Sequence, residues 1–239
     1  MNPFIGPIYA AKGLNLIMRP SLRRFVIIPL LVNFSLFIAA IWLGLHYFDS
    51  YMAQAIPAGY EWIEWLLWPI FAIAMLLITF YCFTLVANLI CAPFNSLLSE
   101  AVEKELKGIA PDSSTSLLET LKEIPKSLWA ELKKMGYFLS RALPLLLLFF
   151  IPGVNLIAPF LWLIFSAWLL ASEYLDYPMG NRNIAFTDQR KVLKQHRITS
   201  LSWGGSVMFL TMIPFVNFIV MPLAVAGATA LYLDKLDKD

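Results

Sequence analysis

The sequence predicts an all-α integral membrane protein. It would have two long transmembrane helices plus two proline-broken, half-inserted helical hairpins, with an amphipathic N-terminal helix and a cytoplasmic helical hairpin. Three observations predict this. The 239-residue chain is 59% hydrophobic and 14% charged, with a mean hydropathy of +0.70; a soluble domain is about half apolar and about a quarter charged. Long apolar runs occupy residues 25–48, 65–92, 142–171 and 206–233. The last two runs are each broken near the middle by the same phrase, Ile-Pro-x-Val-Asn, at Ile151–Asn155 and Ile213–Asn217.

Residues 1–20 read as an interfacial helix. Pro3, Gly6 and Pro7 disturb its start, and Ile8, Ala11, Leu14, Asn15 and Met18 then follow a roughly helical stripe. No cleavable signal peptide is expected, because residues 1–11 carry no charged n-region and no small-residue cleavage site follows the first apolar run. At Arg19-Pro20-Ser21 the proline stops one helix and Ser21 is placed to cap the next. The first transmembrane helix is then 21–48, kinked at Pro29. Residues 49–64 hold Asp49, Glu61 and Glu64 but no Lys or Arg, and Trp62, Trp65 and Trp68 mark an interface.

The second transmembrane helix is 65–92, ending at Ala92-Pro93-Phe94-Asn95. Residues 95–141 then form the cytoplasmic helical hairpin. Ser116 and Glu119 make a capping box in it, and Leu117, Leu121, Leu128 and Leu132 give an apolar stripe bent at Pro125. Cys82 and Cys91 are the only cysteines; nine positions apart, they lie on opposite faces of one helix and act as apolar fillers.

The basic residues decide between straight spans and hairpins. Four Lys/Arg precede residue 25, seven lie in 96–141, five in 173–200 and two after 233. A single crossing by 142–171 would put 173–200 outside, against the positive-inside rule. Folding back at Pro152-Gly153 keeps every basic residue and both termini cytoplasmic. Arms of roughly ten to fourteen residues are too short to span and suit re-entrant hairpins at 142–171 and 206–233. Turn backbone at membrane depth needs protein or water around it, which implies a homo-oligomer or a wet cavity. Ala224, Gly227 and Ala228 offer close helix packing between subunits. The whole chain, 1–239, is a single membrane domain.

No catalytic constellation, phosphate loop, cofactor motif or metal-ligand cluster is present, and neither His46 nor His196 has a partner in sequence. The net charge of +2 gives no reason to expect nucleic acid. Arg23 and Arg24 stand in the first turn of a helix, where backbone amides and the positive dipole end already attract an anion. They serve either as interfacial anchors or as an anion site. Asn155 and Asn217 are placed to cap the return arm of each hairpin; they satisfy turn backbone or point a helix N-terminus at an anion path. Asn33 and Asn88, amides within the long runs, line a path or bond between helices. No acidic residue precedes Asp49, so the arginine pair has no sequence-local carboxylate. An anion here would meet donors with no competing local carboxylate.

Several phrases together carry a family resemblance: Gly13-Leu14-Asn15-Leu16-Ile17, Arg23-Arg24-Phe25 through to Asn33, Ala92-Pro93-Phe94-Asn95, Tyr174-Leu175-Asp176-Tyr177-Pro178 and the closing stretch Ile213–Leu231 with its Val225–Leu231. Over nearly its whole length the chain resembles the CysZ family of bacterial sulfate permeases. The resemblance implies sulfate uptake across the bacterial inner membrane for cysteine biosynthesis, half-inserted hairpins, and a homo-oligomer built from dimers. It implies a sulfate site at Gly13, Leu14, Arg23 and Arg24, and it tips the arginine pair from anchoring toward binding. Expected partners are sulfate, with sulfite as competitor or regulator, the lipid bilayer, and further copies of the chain. A non-transporting scaffold that recruits cytoplasmic partners through 96–141 is the competing reading.

Overall fold

The computed structural model describes residues 4–55, 62–108 and 124–237. Among them the chain is helical throughout, with no strand: α1 Ile5–Ile17, α2 Pro20–Ala55, α3 Trp62–Lys107, α4 Ile124–Leu147, α5 Ala158–Gly180, α6 Phe186–Gln195, α7 Arg197–Thr211 and α8 Pro214–Leu231. Among the described residues, the helical stretches Pro20–Tyr47, Ala158–Gly180 and Ile219–Leu236 are long and apolar enough to cross a membrane. The chain divides into two compact units, Ile27–Phe94 and the remainder, Met1–Val26 with Asn95–Asp239.

In the first unit, α2 exposes apolar side chains all round, Ile27, Ile28, Leu30 and Leu36 among them. A helix apolar on every face belongs in lipid. Pro29 lies inside α2 without interrupting it. His46 stacks on Trp42 with ring centroids 5.5 Å apart. The side chains of Cys82 and Cys91 lie outside the described residues.

The second unit holds the core. Leu16, Leu22, Leu98, Val102, Leu175, Trp203, Val225 and Leu231 are buried in one cluster. Small residues let its helices meet backbone to backbone. A methyl on Gly13 would lie 2.4 Å from the Leu223 carbonyl oxygen, one on Gly227 2.7 Å from that of Tyr9, and one on Gly204 1.7 Å from that of Ala167. So α1 lies on α8, and α5 on α7. Ala224 and Ala228 are fully buried within the chain. The small-residue stripe expected between subunits is therefore spent inside one subunit.

Both proline breaks reverse the chain. Lys134, on α4 well before the first break, forms an ion pair with Asp176, on α5 well after it. The two helices therefore run back along each other from the turn. Gly153 takes φ +85°, a conformation that suits glycine. Short-range bonds satisfy the turn: Ile151 N–H to Leu148 O at 3.3 Å, Asn155 N–H to Ile151 O at 3.0 Å and Ile157 N–H to Val154 O at 2.9 Å. At the second break, the α7 indole of Trp203 lies against Gly227 of α8.

Four expectations need correction. The arms are longer than foreseen: α4 has 24 residues, α5 23, α7 15 and α8 18, because α4, α5 and α7 continue into the polar sequence beyond their apolar runs and the second break falls early in the run that holds α8. Pro93 does not end α3, which runs unbroken to Lys107. The first arm of the 95–141 hairpin is thus the end of α3. It packs into the core through Leu98, Ala101 and Val102, and Ser99 bonds Thr229 of α8 at 2.8 Å. The capping box at Ser116 and Glu119 lies outside the described residues, and Pro125 falls in the first described turn of α4. Finally, neither asparagine is a cap: the helices start after Ile157 and Ile213, with no side-chain cap bond.

Candidate anion site at the corner between the first two helices

Helix α1 ends, and α2 begins, within three residues. Met18 N–H bonds Leu14 O at 3.3 Å and Arg19 N–H bonds Leu16 O at 3.0 Å, closing α1. Pro20 lacks the N–H that would continue it and opens α2 instead. Leu22 and Arg23 N–H both bond Arg19 O at 3.1 Å. Arg19 thus stands in the cap position and Ser21 one turn-position inside, a shift from the expected Ser21 cap. Leu22 is 1% exposed and anchors the corner in the core.

The carbonyl end of one helix and the amide end of the next meet here. Arg23 uses the first: its Nε donates to Met18 O at 2.7 Å. A guanidinium over the last carbonyls of a helix is stabilised by the negative dipole end. That bond orients Arg23 and does not use its terminal nitrogens. Arg24 lies with its guanidinium 4.9 Å from the Phe25 ring centroid. Both side chains are exposed, and among the described residues neither pairs with a carboxylate.

Gly13 and Leu14 are mid-helix in α1. Gly13 faces α8 and is buried, while Leu14 is exposed. Among the described residues no hydrogen bond joins them to Arg23 or Arg24. Asn155 and Asn217 are exposed on the two breaks, with Asn217 N–H bonding Ile213 O at 2.9 Å. Asn33 and Asn88 lie on α2 and α3, and their side chains are outside the described residues.

Sequence reasoning missed two carboxylates. Glu105, from the end of α3, accepts from Arg19 Nη1 at 2.9 Å and from Ser21 Oγ at 3.0 Å. Arg19, then Ser21, holds its carboxyl below the ordinary value. This is the acceptor the local sequence lacked, and only the interleaved Glu and Lys of 100–107 hinted at it. Asp234 takes Lys12 at 2.6 Å and the Tyr9 hydroxyl at 3.0 Å, pinning α1 to the segment Tyr232–Leu236 that follows α8. Burial pushes the Tyr9 hydroxyl up, and the Asp234 carboxylate adds to the rise. Of the cations at this end of the chain, Lys12 and Arg19 are thus neutralised, and Arg23 and Arg24 remain to face a solute.

Residues 9–222 match the family model described as sulfate transporter CysZ/etoposide-induced protein 2.4. A relative from Pectobacterium atrosepticum named sulfate transporter CysZ is 41% identical over 232 residues, 95% of this chain and 84% of its own length. One of the same name from Pseudomonas fluorescens is 42% identical over 231 residues, 95% of this chain and 92% of its own.

Proposed function

The chain belongs to the sulfate transporter CysZ/etoposide-induced protein 2.4 family, and from that premise we propose that it is a permease importing sulfate across the bacterial inner membrane for cysteine biosynthesis. It is a transport protein, not an enzyme. The single observation that carries the reading is a match over 95% of the chain to sulfate transporters, with the corner inside it.

In this reading sulfate collects at Gly13, Leu14, Arg23 and Arg24. The arginines supply forked donors to a dianion that only accepts. Gly13 sets how closely α1 lies on α8 and hence where the corner sits. Asn33, Asn88, Asn155 and Asn217 line the onward path. The two reversals are half-inserted hairpins beside the two long spans, both termini are cytoplasmic, and the working form is a homo-oligomer of dimers, with sulfite competing for the site. Against the scaffold alternative, part of 96–141 is taken up by the core, where its first arm buries Leu98, Ala101 and Val102.

Radiolabelled sulfate uptake into proteoliposomes, competed with sulfite and phosphate, tests the function. Uptake absent from intact, reconstituted protein defeats it. For the site, Arg23→Ala with Arg24→Ala is expected to abolish sulfate binding while leaving the unfolding temperature near that of the parent. Binding unchanged in detergent defeats the assignment.

A further inference from the structure

An open groove of about 540 Å³ is lined by α4, α5, α6 and α7 and shares no residue with the corner. Leu145, Phe165, Trp168 and Leu201 give it apolar walls, and Lys194 and Arg197 line it as its charged members. Among the described residues neither cation has a carboxylate partner, whereas nearby Lys191 is paired with Asp188 at 2.7 Å. One helical turn before Lys194 and Leu145 stand Arg190 and Arg141. Their guanidinium groups lie 4.4 and 3.6 Å from the centroid of the Tyr137 ring. The Nε of Arg190 is buried without a hydrogen-bond partner.

Among the described residues, four cations without an ion-paired carboxylate therefore lie on or within one helical turn of one apolar trough. A free inorganic anion would use the charges and ignore the walls; a hydrocarbon would do the reverse. Only an amphiphile with an anionic head satisfies both. We propose that this groove is a binding site for an anionic phospholipid, its phosphate on Lys194 and Arg197 and an acyl chain along Leu145, Phe165, Trp168 and Leu201. Each Lys or Arg near a membrane surface adds a modest attraction for anionic lipid, and the apolar walls orient the tail.

Native mass spectrometry of the full chain, exchanged from detergent into mixed phosphatidylglycerol and phosphatidylcholine, tests this without any substitution. Retention of phosphatidylglycerol over phosphatidylcholine by about tenfold is expected. Lys194→Gln with Arg197→Gln should bring that ratio near one, and Lys191→Gln should leave it. Leu201→Trp, which fills the trough, should lower retention of total lipid. Equal retention of the two lipids by the parent, an undiminished ratio in the double variant, or displacement of the lipid by inorganic sulfate overturns the proposal.

Discussion

Glu105 is the side chain on which the chemistry of the corner turns. It neutralises Arg19, holds Ser21, and so leaves the first turn of α2 with Arg23 and Arg24 as its outward charge. Its folded pKa is depressed, so the stability it contributes is full above the ordinary carboxylate value and is lost as pH falls through the lowered folded value. The Arg19 side chain is half exposed, at 49%, so solvent screens the pair and its worth at neutral pH is at most about 1 kcal/mol. Glu105→Gln is therefore expected to lower the unfolding temperature slightly at pH 7. The parent and variant curves, followed by tryptophan fluorescence, should converge as pH drops below the carboxylate range. Glu103 behaves alike: burial pulls its carboxyl up, but hydrogen bonds from Lys107 and Arg182 outweigh that and hold it low. That Arg23 and Arg24 stand at the start of a helix was readable from the sequence, because a polar segment gives way to an apolar one around them. Glu105 was not, since it lies 86 positions from Arg19 and nothing local marks which solvated-looking Glu turns inward.

At the scale of elements, α7 carries two adjacent glycines with opposite roles. A methyl on Gly204 would collide with the α5 backbone at Ala167, whereas Gly205 has nothing within 4 Å. Gly204→Ala must push two helices apart, an overpacking cost of about 1–3 kcal/mol or more. Gly205→Ala meets open space and gains about 1 kcal/mol of helix propensity. Thermal unfolding should move down for the first and level or up for the second; equal shifts would mean that α5 and α7 do not cross at Ala167. The same contrast explains what the sequence made legible. Apolar runs and the breaks at Pro152 and Pro214 are local consequences of composition and of a missing N–H, and they were found. Which faces meet is not local. Ala224, Gly227 and Ala228 announce a close approach without naming the partner, and Gly227 meets α1 and α7 of the same chain. Pro93 was read as a terminus, but it lies inside one helix that continues to Lys107.

Across the whole molecule, the proposed layout sets two arguments against each other. At 23 residues α5 spans roughly 34 Å, enough to cross a bilayer core of about 30 Å. Charge and ion pairing point the other way. A crossing would carry Arg182, Arg190, Lys191, Lys194 and Arg197 outside, against the positive-inside rule. Arg182, just past the end of α5, is paired with Glu103 of α3 at 2.8 Å, and Asp176 with Lys134 of α4. Those pairs tie the far end of α5 to the same side as the end of α3 and the polar half of α4, so leaving by α4 and returning by α5 is one excursion. Its apolar reach is only the ten or so residues from Ala142 to Pro152, about 15 Å and so half the core. Single cysteines test this in a Cys82→Ala, Cys91→Ala background. An impermeant maleimide added outside spheroplasts should label Ser50→Cys and spare Asn183→Cys, and permeabilisation should expose both. Labelling of Asn183→Cys from outside would mean that α5 crosses, and the half-inserted hairpin would have to be abandoned.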